Sequence, residues 1–163
     1  MHRIIQNLIT TRYALNRAFP EPVLDAIEQA VKTSEQQQDG EIRFAIETSL
    51  DLPTLLRDQS VRDRAIEVFS GLQVWDTRAN NGVLIYLLLA EKDIEIVADC
   101  GFNDRVDAAE WQQVCSNMEQ EFAEKRFKEG AILGIEQVTR LISKYYPPLD
   151  EDTNELPDRP FVN

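Results

Sequence analysis

The chain has 163 residues, 43% of them hydrophobic, and its 17 lysines and arginines against 29 acids give a formal charge of -12 and a pI near 4.5. That length allows one domain with a sizeable core, and a mean hydropathy of -0.36 with 8% aromatic residues is the composition of a folded protein. So acidic a chain repels polyphosphates and anionic surfaces, which excludes nucleic-acid binding by phosphate neutralisation, whereas it attracts cations, basic partners and divalent metals.

Residues 1–20 hold Arg3, Arg12 and Arg17 and no acid. Ile4, Ile5, Leu8, Ile9, Tyr13 and Leu15 recur there at helical spacing, so one amphipathic helix is expected over Ile4 to Phe19 as an N-terminal extension packed on an acidic domain. The same composition also suits an interfacial or transit segment. Pro20 and Pro22 punctuate the chain, and Val23, Ile27, Ala30 and Val31 predict a second helix that ends before Asp39-Gly40.

From Glu41 to Ser49 the pattern alternates, with Ile42, Phe44, Ile46 and Thr48 on one face and Glu41, Arg43, Ala45 and Glu47 on the other. A strand with one solvated polar face is expected. Ser60 with Asp63 resembles a capping box opening a helix that buries Val61, Ala65, Val68, Phe69 and Leu72. Val83 to Ala90 is apolar on both faces, as in a central strand covered on both sides. Only a short turn separates it from Ile94 to Ala98, which makes that pair an antiparallel hairpin, while the intervening helix makes the first strand parallel to the central one.

Asp107 and Glu110 cap a long helix with an inner stripe of Trp111, Val114, Cys115, Met118 and Phe122. Phe127 to Gly130 is expected to break it before a last helix containing Ile132, Ile135, Val138, Leu141, Ile142 and Tyr145, with Gly130 and Gly134 either permitting close helix–strand approach or serving as a turn and a tolerated glycine. From Pro147 the chain is acidic and proline-containing and reads as an extended tail. The expected fold is a single α/β domain, a small mixed sheet with helices on both faces.

Two loops gather oxygen-bearing side chains. Asp76-Thr77-Arg78-Ala79-Asn80-Asn81-Gly82 precedes the central strand, and Asp99-Cys100-Gly101-Phe102-Asn103-Asp104 follows its hairpin partner. In an antiparallel hairpin these loops lie at the same end of the sheet. Asp76, Asn80, Asn81, Asp99 and Asp104 are therefore candidate ligands for a hard divalent cation, calcium first and magnesium with more water retained. The same residues also read as turn formers, since Asn and Gly tolerate positive φ and Asp caps turns.

Other chemistry lacks its residues. The chain has no GxGxxG, GxxxxGK[ST] or GxSxG motif, and its single histidine, His2, sits at the N-terminus. Cys100 and Cys115 lack metal-binding spacing and are expected to be reduced and buried. Glu41 and Glu47 read as solvated strand charges, and Trp111 as core. Residues 91–110 contain seven acids against two bases, a strip that would suit docking of a basic protein partner. The absence of a long apolar run or a signal-type segment predicts a cytoplasmic protein with no membrane anchor.

The ordered series Gly40-Glu41-Ile42-Arg43, Ala65 to Phe69, Asn80-Asn81-Gly82-Val83-Leu84-Ile85, Ile96-Val97-Ala98-Asp99-Cys100-Gly101, Phe127-x-x-Gly130 and Gly134-Ile135 resembles the TPM domain family. The resemblance covers residues 21–146, which places 1–20 as a helical extension and 147–163 as a tail. It implies an α/β sandwich, a divalent-cation site described as calcium in some members, and an acid phosphatase activity attributed to a plant member. Asn81 and Gly82 match the family's Asn-Gly before the central strand, whereas Asp76 and Asp99 as ligands are a geometric inference. Many members carry a signal peptide and a C-terminal anchor, neither of which is found here, and the tail resembles those of soluble bacterial relatives. The expected function is divalent-cation binding in a structural or interaction module. The alternative is a metal-dependent acid phosphatase, although no His or Cys nucleophile is arranged for it.

Overall fold

The computed structural model describes residues 2–149 and 154–163; Asp150, Glu151 and Asp152 of the acidic tail lie outside them. The alternating segment is β1 (Glu41–Glu47), the doubly apolar run is β2 (Gly82–Leu88), and its hairpin partner is β3 (Asp93–Ala98). β1 pairs with β2 in parallel and β2 with β3 antiparallel, as the connection lengths require. A strand not foreseen from the sequence, β4 (Phe161–Val162), lies parallel to β1 and gives the sheet order β3-β2-β1-β4.

Before the sheet come α1 (His2–Ile9), α2 (Arg12–Ala18) and α3 (Glu21–Glu35); α4 (Leu52–Leu56) and α5 (Val61–Gly71) link β1 to β2; α6 (Ala108–Ala123) and α7 (Phe127–Ser143) follow β3. One face of the sheet presents Ile42, Phe44, Ile46, Val83, Ile85 and Leu87 to α3, α6 and α7. The other presents Ala45, Leu84, Tyr86 and Leu88 to α4 and α5, with Leu156 of the tail packed among them. Both faces are covered, and the chain is a single α/β domain.

The extension is two helices because Thr11, at the N-cap position of the second, is extended, with φ -111° and ψ 164°. α1 is held on the domain by Asn7, whose amide donates to Glu91 at 2.9 Å and accepts from the Leu50 N–H at 2.7 Å, and by Arg3, whose guanidinium meets Glu91 at 2.8 Å. The break between the last two helices falls before Phe127, at Lys125, whose φ is 63°. Gly130 is inside the first turn of α7, and Gly134 lets that helix approach Met118 of α6, so the close contact is helix to helix. The Ser60 and Asp107 caps form as expected.

The polar face of β1 is the main correction. Glu41, Arg43 and Glu47 are 3%, 8% and 2% exposed, because α5 and the tail close over them. Glu41 accepts from the Glu155 and Leu156 N–H groups at 3.0 and 3.3 Å, and Arg43 donates to the Pro157 and Arg159 carbonyls. Glu47 takes two bonds from Arg64, at 2.6 and 2.8 Å, one from Tyr86 at 2.6 Å and one from Asn163 at 3.1 Å. The alternation gave the two faces correctly; which segment covers each face depends on contacts far away in sequence.

Candidate loop site at one end of the sheet

The beginnings of β1 and β2 and the end of β3 share one end of the sheet, which brings the two oxygen-rich loops into direct contact. Asp99 N–H donates to the Gly82 carbonyl at 2.9 Å, and Gly101 N–H to the Asn80 carbonyl at 2.9 Å. Glycine is required at both contacts. A methyl group on Gly82 would overlap the Val74 carbonyl, and one on Gly101 would overlap the Asn80 carbonyl and the Tyr146 hydroxyl. Asn80 supplies the turn with φ 52°, a conformation that asparagine tolerates better than most residues.

Asn81 is 1% exposed. Its backbone N–H donates to the Thr77 hydroxyl at 3.1 Å and its side-chain amide to the Asp39 carbonyl at 2.7 Å. These bonds fix the side chain, and its buried Oδ1 has no hydrogen-bond donor. Asp99 caps the one-turn 3-10 helix Cys100–Phe102, accepting the Cys100 N–H at 2.7 Å through Oδ1, while its Oδ2 is also buried without a donor. Two buried oxygens on touching loops thus lack partners that native interiors nearly always supply.

The other predicted residues are placed differently. Asp76, Asn80 and Asp104 are exposed, Asp104 on a turn with φ 59°. Among the described residues no group of three or more Asp, Glu, His or Cys side chains is arranged to hold a metal ion. Any cation here would therefore be held by a mixed set of one carboxylate, side-chain amide and backbone oxygens. Such donors suit calcium and suit zinc poorly.

Several residues at this end were not foreseen. Arg78 donates its N–H to Glu155 at 2.9 Å and its guanidinium lies 3.5 Å from Asp39. Tyr146 donates to the Gly101 carbonyl at 2.9 Å and lies under the Arg105 guanidinium, 5.2 Å from ring centre to Cζ. The Asp39-Gly40 turn was the only available signal for the first, since it leads directly into β1.

Cys115 is buried, and burial, with Glu95 and Glu119 nearby, pushes its thiol up to about 12. Cys100 is exposed, contrary to expectation, because it stands in the turn beyond β3. Trp111 packs against the core, edge-on to Phe102 at 5.7 Å. Three of the strip's seven acids are in ion pairs among the described residues: Glu91 with Arg3, Glu95 with Arg62 at 3.1 Å and Glu110 with Lys144 at 3.1 Å. Among the described residues no helix is long and apolar enough to cross a membrane.

Comparison with known proteins places this geometry. The protein BA42 from the psychrophilic bacterium Bizionia argentinensis, solved by NMR, is 32% identical, with a TM-score of 0.76 over 87% of this chain and 93% of its own. The N-terminal domain of cg2496 from Corynebacterium glutamicum, 15% identical, shares the fold at a TM-score of 0.50 over 82% of this chain and 77% of its own. No curated protein matches the sequence. The profile of the TPM domain matches residues 9–141. With that match spanning most of its length, the chain belongs to the TPM domain family.

Proposed function

We propose that the loop cluster binds a divalent cation, calcium in preference to magnesium, and that the protein acts as a structural or interaction module whose loops the ion ties together. The observation that carries this reading is the pair of buried, donor-free oxygens, Asn81 Oδ1 and Asp99 Oδ2, on loops already in contact. A buried carboxylate oxygen without a donor is costly, and a cation removes that cost. Asp76, Asn80 and Asp104 lie on the loop rims, where flexible oxygen donors or their waters complete the six to eight ligands that calcium takes. The net charge of -12 adds long-range attraction for any cation.

The test is thermal unfolding with added calcium. At about a hundredfold excess over Kd, mass action contributes about 2.7 kcal/mol, which raises Tm by roughly 5–10 °C in a domain of this size. Asp99→Asn and Asn81→Ala should each remove most of the rise. An unchanged Tm at millimolar calcium overturns the proposal. The phosphatase alternative uses the same loops, with Arg78 and Arg105 of those loops as candidate phosphate-binding cations. Phosphomonoester hydrolysis at mildly acidic pH that falls in Asp99→Asn would favour it over the purely structural module.

A further inference from the structure

At the far end of the sheet, a groove of about 550 Å³ runs between α2, the β2–β3 turn and the junction of α6 and α7. Its floor is aromatic: Phe122 and Phe127 pack with ring centres 5.5 Å apart, and Phe19 supports both from beneath at 6.1 and 5.4 Å. Its walls include Ala18 and Ala123, whose small side chains leave the space open. Around this apolar surface stand Arg17, Lys92 and Lys125, and among the described residues no acid lines the groove, although the chain as a whole has a charge of -12.

The three cations are available. Among the described residues none of them is in an ion pair, and all three are exposed. Of the neighbouring acids, Glu91 is held by Arg3 and Glu121 and Glu124 by Arg126, while Asp93, next to Lys92 in sequence, is partly buried and faces other acids. Lys92 and Lys125 occupy turn corners with φ of 54° and 63°, one on each element bordering the groove. An apolar floor with a one-signed polar rim selects a ligand that is apolar at one end and anionic at the other.

We propose that this groove binds a single-chain amphipathic anion, an acyl chain lying on Phe122 and Phe127 with its carboxylate or phosphate among Arg17, Lys92 and Lys125. The volume lies within the range of small-ligand pockets, about 300–1,000 Å³. The site is independent of the cation loops, which lie at the opposite end of the strands.

The experiment is a titration of the full isotope-labelled chain with dodecanoate below its micelle concentration, followed by heteronuclear NMR. Saturable shifts centred on Ala18, Leu89, Ala123 and Phe127 are expected, with none of that kind from dodecyltrimethylammonium, which has the same tail and the opposite charge. The double variant Lys92→Glu, Lys125→Glu changes only exposed side chains, and should weaken dodecanoate binding by about tenfold or more. Three results would overturn the proposal: equal binding of the cationic amphiphile, unchanged binding in the double variant, or shifts that appear with phosphatidylglycerol vesicles but not with monomeric dodecanoate. The last result would make the surface a membrane contact.

Discussion

The Tyr86 hydroxyl on β2 donates to the Glu47 carboxylate on β1 at 2.6 Å, within the core. The carboxylate also holds Arg64, and the balance of forces on it is informative. Burial alone raises its pKa, but the bonds from Arg64, Tyr86 and Asn163 outweigh burial and leave it below the usual 4.5. Tyr86→Phe should cost about 1.5–3 kcal/mol, the worth of a hydrogen bond to a charged group. Arg64→Ala should cost about 2–4 kcal/mol, reduced from the fully buried case because Arg64 is partly exposed. Urea unfolding measures both. A carboxylate depressed in the folded state contributes stability above its unfolded pKa and loses it as pH falls, so the wild type should weaken below about pH 4.5. That part of its acid sensitivity should be smaller in Glu47→Gln.

Asp93 behaves in the opposite sense. Burial first, then Glu95, Glu119 and Glu91, push its carboxyl up from 3.8 to about 6. A raised carboxyl contributes its full stability below 3.8 and loses it as pH rises through about 6. Asp93→Asn should therefore stabilise the protein at neutral pH by about 1–2 kcal/mol, after allowance for solvent screening, and change little below pH 4. Unfolding curves at the two pH values check the sign. Equal stabilisation at both would show that the carboxyl's charge is not the cause.

Gly82 and Gly134 separate two kinds of tight packing. A methyl group on Gly82 meets the Val74 backbone carbonyl, which cannot move without opening the start of β2. On Gly134 it meets the Sδ, Cε and Cγ of Met118, a flexible side chain that must repack within the core. Gly82→Ala should cost about 3 kcal/mol or more, and Gly134→Ala less, about 1–2 kcal/mol. Denaturation midpoints compared at equal m-value provide the measurement.

Much of the fold follows directly from the sequence. The two-sided apolar run from Val83, the hairpin it forms and the capping pairs Ser60–Asp63 and Asp107–Glu110 are local signals that match the structure, although the hairpin connection is Leu89 to Lys92 and not Glu91-Lys92 alone. The touching of the two loops also follows, because hairpin geometry alone requires it. Glu41, Arg43 and Glu47 were misread because alternation identifies a face but not its cover, and the covering residues 154–163 resemble a free tail by composition. Within the loops, charge drew attention to Asp76 and Asp104, which remain exposed. The buried pair Asn81 and Asp99 stands out through unsatisfied oxygens, a property that no spacing rule reveals.

The pairing of β4 with β1 bears on synthesis. Arg43 and the Arg159 carbonyl that receives it are 116 residues apart, and Glu41 waits for Glu155 across 114. During translation the edge of β1 and two charged side chains destined for the interior stay uncovered until β4 has left the ribosome. Contacts this distant form late and slowly. A sheet still lacking β4 would have an open edge at β1, where a chaperone or a second copy of the chain would compete for the place of Phe161 and Val162.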